Sequence, residues 1–453
     1  MKTLELLALL GFLALPVASG CGGSKDDDTE TGDDDDSGDD DDDTTTSGDD
    51  DDDTGDDDDD DDDTGDDDDD DDTTLDCSER PTDIPTARGE IEGVWSPVSR
   101  KFMFFGGDEG IPVDCFPNTS FVADTWVWEE DCGNWRKIEG DQPPATARYA
   151  HGYDPLRDRF VMFGGRYRNG TSGLYTLRDE TWAFSFETET WEKLDEGGPG
   201  DRAILSGAVA GDRFVIFGGT ASTDGGNYNP LLGDVWIFDL ENNTWEELPT
   251  TGGGPGGRVF ATTASDGEDS IWVYGGGDEN AFLGPFFDDL WKLDLSTGEL
   301  TLADDGTQFN TPAGRIWADL NYNPVTGELV MWAGHDDEDL GNTNQIYSWS
   351  DSERWTKVEG GDEVLAGANG FCDFPADFTT FEEGTPERRY GAAAAITEEG
   401  VMLTFGGKTD CGIINDFWSY DLEDNEWDML LRATDGESCV RAFDPDSCSS
   451  LCF

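Results

Sequence analysis

The sequence predicts an all-β chain in which one small sheet is repeated around an axis. Three observations carry that reading. An arginine anchor recurs at Arg88, Arg148, Arg202, Arg258, Arg315 and Arg389, with proline three residues earlier in five cases and Pro144 four earlier in the sixth. Each anchor is followed by an apolar run that ends in Gly106-Gly107, Gly164-Gly165, Gly218-Gly219, Gly275-Gly276, Ala333-Gly334 or Gly406-Gly407. Two aromatic positions close each copy: Trp126, Trp182, Trp236, Trp291, Tyr347 and Trp418, then Trp135, Trp191, Trp245, Leu300, Trp355 and Trp427. A repeat of this period is read before any single element.

Within one copy the elements follow from residue type. In the third, the strand-like stretches are Ile204–Ala210, Arg213–Phe217, Asp234–Leu240 and Thr244–Leu248. They are too short for helices and rich in β-branched and aromatic residues. The turns between them, such as Ala210-Gly211-Asp212 and Glu241-Asn242-Asn243, hold residues that tolerate positive φ. One such sheet cannot bury both faces, whereas radial stacking buries them and leaves only short edges. The glycine pairs are expected where the backbone turns tightly beside a bulky ring. The tryptophans are expected to fill the space between sheets. Leu300 stands nine residues after Trp291, so the fourth copy keeps that position with a smaller side chain.

The Pro-x-x-Arg, Gly-Gly, Asp-x-Trp and Trp series resembles the Kelch repeat over roughly residues 80–432. The resemblance implies a six-bladed β-propeller with four antiparallel strands per blade. The blades are expected at 77–138, 139–194, 195–249, 250–306, 307–358 and 359–432, the last with a long preceding loop, before a cysteine-rich tail at 433–453.

Residues 1–20 read as a secretory signal whose apolar run is too short to cross a bilayer. Ala18-Ser19-Gly20-Cys21 resembles the bacterial lipobox, with Ala18 where the motif has leucine, so Cys21 is the expected lipidation site. Gly22 after it points to an outer membrane, with exposure at the cell surface. Residues 21–76 are the expected tether. From Asp26 to Asp72 the chain holds 32 Asp and Glu30 without a basic residue, a charge of −33. Such a stretch repels itself and stays extended, with a reach of well over ~100 Å at roughly 3.3 Å per residue. Its carboxylates suit weak, diffuse calcium binding and no other cofactor. Taking −33 from the total of −78, with Lys2 and Glu5 cancelling and Lys25 adding one, leaves −46 for residues 73–453. That charge opposes nucleic-acid partners and anionic lipid, so the lipid anchor is the expected membrane contact.

Nine cysteines in an exported chain indicate oxidising surroundings. Beyond Cys21 they are Cys77, Cys115, Cys132, Cys372, Cys411, Cys439, Cys448 and Cys452, all in the first and last blades or at the ends. Cys372 and Cys411 are expected to pair, Cys77 is expected to meet the tail, and the partners of Cys115 and Cys132 stay open. With no strand shared between the first and last blades, disulfides are expected to seal the ring. Without Cys-x-x-Cys and with two histidines, no metal site is expected.

No catalytic residue emerges. A copper oxidase similar to galactose oxidase would need two His, two Tyr and a Cys cross-linked to one Tyr, but no Cys lies near a repeat Tyr in a suitable core position, and His151 and His335 stand three blades apart. The nucleophile-elbow and sialidase sequence signatures are absent. The candidate ligand residues are the six arginines, Tyr167, Tyr228 and His335. Guanidinium groups around a channel mouth suit carboxylates. The long loops 106–123, 165–178, 219–233 and 360–385 carry aromatics that suit a protein or carbohydrate partner. The expected function is a surface-displayed, monomeric binding or scaffold module. The alternative is a metal-free sugar-active enzyme similar to the Kelch-type sialic acid mutarotases, with channel arginines and a carboxylate acting together.

Overall fold

The second strand of every sheet has four of its five residues buried, and only neighbouring sheets can cover both of its faces. The computed structural model describes residues 77, 83–110, 118–280, 284–336, 341–363, 384–409 and 412–434. These hold six four-stranded antiparallel sheets, paired in chain order from the axis outward, and no α-helix. Sheet 1 comprises Gly93–Ser96, Lys101–Phe105, Thr125–Glu129 and Asn134–Ile138. Sheets 2 to 6 begin with Ala150–Asp154, Ser206–Ala210, Thr262–Ser265, Asp319–Asn323 and Ala393–Ile396. These innermost strands lie side by side in chain order, and the sixth touches the first. The fold is a β-propeller.

The recurring tryptophans join the sheets. Trp135 packs on Phe405 of sheet 6 at 5.0 Å between ring centroids, Trp191 on Phe105 at 5.1 Å, and Trp245 on Phe163 at 4.8 Å. Trp355 meets Tyr274 at 5.4 Å and Trp427 meets Trp332 at 5.8 Å. In each case the outermost strand of one sheet covers the aromatic before the glycine pair of the sheet preceding it. Leu300 is registered opposite Leu293 as Trp245 is opposite Phe238, and it packs in one cluster with Phe217.

The glycine pairs have a different cause from the one the sequence suggests. A Cβ at Gly275, where φ is +65°, would lie 2.7 Å from the Arg315 carbonyl oxygen, and one at Gly276, where φ is +92°, would lie 2.7 Å from that of Val259. Carbonyls of the approaching chain, not rings, exclude the side chain. The second glycine also donates its N–H to the next sheet's anchor. Gly165 donates to Arg202, Gly219 to Arg258, Gly276 to Arg315 and Gly334 to Arg389, at 2.9 to 3.0 Å. Gly407 donates to Arg88 at 2.8 Å, so the seam is made by the same bond as the other junctions.

One expected pairing is corrected. Cys77 pairs with Cys132, inside the first blade rather than with the tail, and the bond does not cross the seam. Cys21, Cys115, Cys372, Cys411, Cys439, Cys448 and Cys452 lie outside the described residues, as do the signal, the acidic stretch and Phe116, Phe371, Phe374, Phe378 and Phe381.

Candidate functional site

The anchors form a set of closed brackets. Arg88, Arg202, Arg258, Arg315 and Arg389 are each at most 4% exposed. Arg389 grips Asp416 with two bonds of 2.6 and 2.8 Å and donates to the Gly406 carbonyl at 2.9 Å. Arg258 holds Asp289, Arg202 holds Asp234 and Arg88 holds Asp124 in the same way. The far oxygen of each aspartate accepts the indole N–H two residues later, from Trp126, Trp236, Trp291 and Trp418. This explains the Asp-x-Trp spacing: one carboxylate joins an arginine to a tryptophan. Burial would raise the Asp124 and Asp234 carboxyls, but their arginines outweigh it and hold both low. In the fifth sheet Gln345 replaces the aspartate and bonds Arg315 and Tyr347, each at 3.3 Å.

Arg148 does not belong to that set. Ala147 pairs with Arg166 as Gly89 pairs with Asp108 and Ala203 with Thr220. The true counterpart of the anchors in sheet 2 is therefore Thr146, whose carbonyl accepts from Gly107 at 3.2 Å. Pro143 stands three residues before it. Without an anchor, the Trp182 indole N–H there is buried with no hydrogen-bond partner. Arg148 instead occupies a left-handed position shared with Glu90, Ile204, Phe260, Trp317 and Gly391, where φ runs from 51° to 61°. Consecutive members are linked, Ile204 N–H to the Arg148 carbonyl at 2.9 Å and Trp317 N–H to that of Phe260 at 3.2 Å.

Five of these six residues, all but Glu90, line the loop-side end of the axial cavity. Arg148 donates two bonds to Glu90, and its guanidinium lies 4.7 Å from the Trp317 ring and 5.4 Å from the Phe260 ring. Lys408 bridges Glu90 at 2.7 Å and Asp108 at 2.8 Å. Asp108 in turn accepts from the N–H groups of Gly110 and Ser120. Burial opposes ionisation of Glu90, but Arg148 and Lys408 prevail and bring its carboxyl to about 2. The plug is thus a chain of buried ion pairs bedded on aromatic rings.

Above it the loops are laced together. Thr119–Ser120 of the first loop pairs with Asn169–Gly170 of the second. Tyr175 N–H donates to Thr223 at 2.8 Å, and Tyr228 N–H to Glu279 at 3.2 Å, so adjacent loops are joined in succession. Their aromatics face inward. Phe121, Tyr175 and Tyr228 are 3%, 4% and 1% exposed, and Tyr167 is half-buried beside the Arg178 guanidinium. His335, expected in an exposed loop, is 1% exposed, with Nδ1 2.5 Å from Asn342 Oδ1 and its ring against Tyr390. What the loop face does expose is Phe309, at 92%, and Leu174, at 71%.

Below the plug, a cavity of about 360 Å³ runs between the innermost strands. Arg148 is the one sequence-predicted site residue that lines it. Arg315 does not line it. The cavity instead contains Glu92, His151, Ser206, Thr262 and Asp319. His151 Nδ1 is 3.5 Å from Glu92 Oε2. Burial brings the imidazole down to about 4. Burial, reinforced by Asp319, raises the Glu92 carboxyl well above its usual range, and burial raises that of Asp319 against the pull of Arg389. No sequence motif marks this group. The available signal is register: Ala150, Ser206, Thr262 and Ala393 stand where sheets 1 and 5 carry Glu92 and Asp319.

A profile of the KLHDC2/KLHL20/DRC7 Kelch-repeats domain matches residues 95–315. The chain is similar to the Leucine-zipper-like transcriptional regulator 1 homolog of Drosophila melanogaster, 25% identical over 319 residues, which are 69% of this chain and 28% of that protein. It is 24% identical to Kelch domain-containing protein 10 of Homo sapiens over 365 residues, 77% of this chain and 70% of that protein. A third similarity, 26% over 250 residues, is to an N-(sulfonatooxy)prop-2-enimidothioate sulfolyase of Thlaspi arvense and covers 50% of this chain and 67% of that one.

Proposed function

Because this chain is a Kelch-repeat protein, a kind of propeller that generally serves protein binding or scaffolding, we propose that it is a binding module displayed on a lipid anchor at a cell surface. The observation that carries this reading is the laced loop face, closed over the channel by the Arg148–Glu90–Lys408 plug. A pre-ordered surface binds without the cost of arranging flexible loops. Phe309 and Leu174 stand out from it as exposed apolar side chains that a partner would bury. The acidic stretch would hold this surface away from the membrane, with Cys21 as the site of attachment.

The intact chain, applied to peptide and glycan arrays beside a Phe309→Asp/Leu174→Asp double variant, tests the reading. The expected result is a set of ligands whose signal falls at least about tenfold in the variant and survives Leu156→Asp on the opposite face. Ligands that ignore the double variant and depend on Leu156 would place binding elsewhere. Cys21→Ala should release the protein from membranes into the soluble fraction. Unchanged retention would remove the anchor.

A further inference from the structure

The plug leaves a closed-ended channel with its own chemistry, on the side opposite the loops. The strand ends and turns that line its far end, among them Tyr153, Asp266, Gly267 and Pro324, belong to the connections between first and second strands. Glu92 and Asp319 project from sheets 1 and 5, and sheet 6 between them lines the wall with Gly391, Ala392, Ala394 and Ala395. No side chain of the channel neutralises the two acids: Arg148 is engaged by Glu90 and Arg389 by Asp416. Two buried polar atoms in the same layer, Asp319 Oδ2 and Ser206 Oγ, have no hydrogen-bond partner among the described residues. Orphaned atoms of this kind in a native cavity call for a partner from outside the chain.

We propose that this channel is a binding site for a small aliphatic amine, with an ammonium group between Glu92 and Asp319 and a methylene stem along the alanine wall of sheet 6. An ammonium has three donors and no acceptor, which fits the unpartnered Asp319 Oδ2 and Ser206 Oγ together with the Glu92 carboxylate, whose neighbour is the neutral His151. Its charge supplies the cation that the channel itself lacks. A volume of about 360 Å³ lies at the small end of ligand pockets. The charge of −46 on residues 73–453 raises the local concentration of cations. A metal ion fits less well, since no group of three or more His, Cys, Asp or Glu side chains among the described residues is placed to hold one.

The test is calorimetric titration of the intact protein with 1,4-diaminobutane, 1,4-butanediol and calcium chloride at 0.2 M salt. Asp319→Asn and Glu92→Gln serve as matched variants, so that binding to the acidic stretch is common to all and cancels. Each variant is expected to weaken the diamine at least about tenfold, the loss of one charge-assisted hydrogen bond, with the melting temperature kept. The diol should give no difference between proteins. Affinity should rise with pH, because Glu92 and Asp319 must ionise to receive the ammonium. Of the groups facing them, burial pushes the Tyr149 hydroxyl up and, against burial, Glu90 pushes the Arg148 guanidinium up, so neither changes charge across neutral pH, and His151 is already neutral above about 4. Identical diamine isotherms for wild type and both variants would overturn the proposal. So would a diol that binds as well as the diamine, or calcium binding that is lost in both variants while diamine binding is not.

Discussion

At the scale of single residues, Ala333 is the position where the repeat works against local preference. It replaces the first glycine of the pair and holds φ at +60°, fully buried. A Cβ in this region costs roughly 1–2 kcal/mol, part of which is offset because glycine loses more freedom on folding. Ala333→Gly should therefore stabilise the protein by about 0.5–1 kcal/mol, read as a higher urea midpoint at unchanged slope. A lower midpoint would mean that the methyl group's packing outweighs the strain. Arg148 teaches the complementary lesson. Its sequence suggests an anchor with one residue inserted, whereas the backbone pairing places it two positions beyond the anchor and gives that role to Thr146. The chemistry of the plug follows from that displacement, since in sheet 2 the position of the anchor's carboxylate partner, two residues before Trp182, is Glu180 and not Glu90.

At the scale of elements, each sheet is finished by its neighbour. The outer-strand tryptophan covers the aromatic of the preceding sheet, as Trp355 covers Tyr274. Trp355 is 2% exposed, and Trp355→Ala should cost about 3–5 kcal/mol, measured by thermal or urea unfolding. A cost below about 1 kcal/mol would show that the sheets are held chiefly by their hydrogen-bonded junctions. The strands themselves were legible because periodicity, β-branched content and turn residues all agree: Arg213–Phe217 is observed as expected, and Thr244–Leu248 ends one residue earlier at Glu247. The loops were less legible. Nothing in their composition distinguishes Tyr228, buried at 1%, from Phe309, exposed at 92%. Aromatic content alone does not say whether a ring packs inward or faces solvent.

At the scale of the whole molecule, closure is achieved by repetition. The Gly407–Arg88 bond joins the last sheet to the first as Gly165–Arg202 joins the second to the third. The Cys77–Cys132 disulfide, spanning 55 residues, fastens the entering chain to sheet 1. A Cys77→Ser/Cys132→Ser double variant should lose about 2–4 kcal/mol while keeping its far-ultraviolet spectrum. Loss of the folded spectrum at room temperature would show that the disulfide is needed for closure. The charge pattern also acts at this scale, since a field of this sign favours cationic ligands wherever a site exists.

The sequence by itself determined the repeat, the strand content and the propeller, because glycine, arginine, aspartate and tryptophan each have one physical task that recurs in most of the sheets. It also carried the acidity, which opposes binding to a polyanion. Only the tertiary structure decided which arginine leaves the repeat, which carboxylates share the channel, and which rings face solvent. Glu92 and Asp319 are 227 residues apart in the chain and meet because two innermost strands face one axis. Proximity of that kind depends on the closed ring, and no local pattern of side chains encodes it.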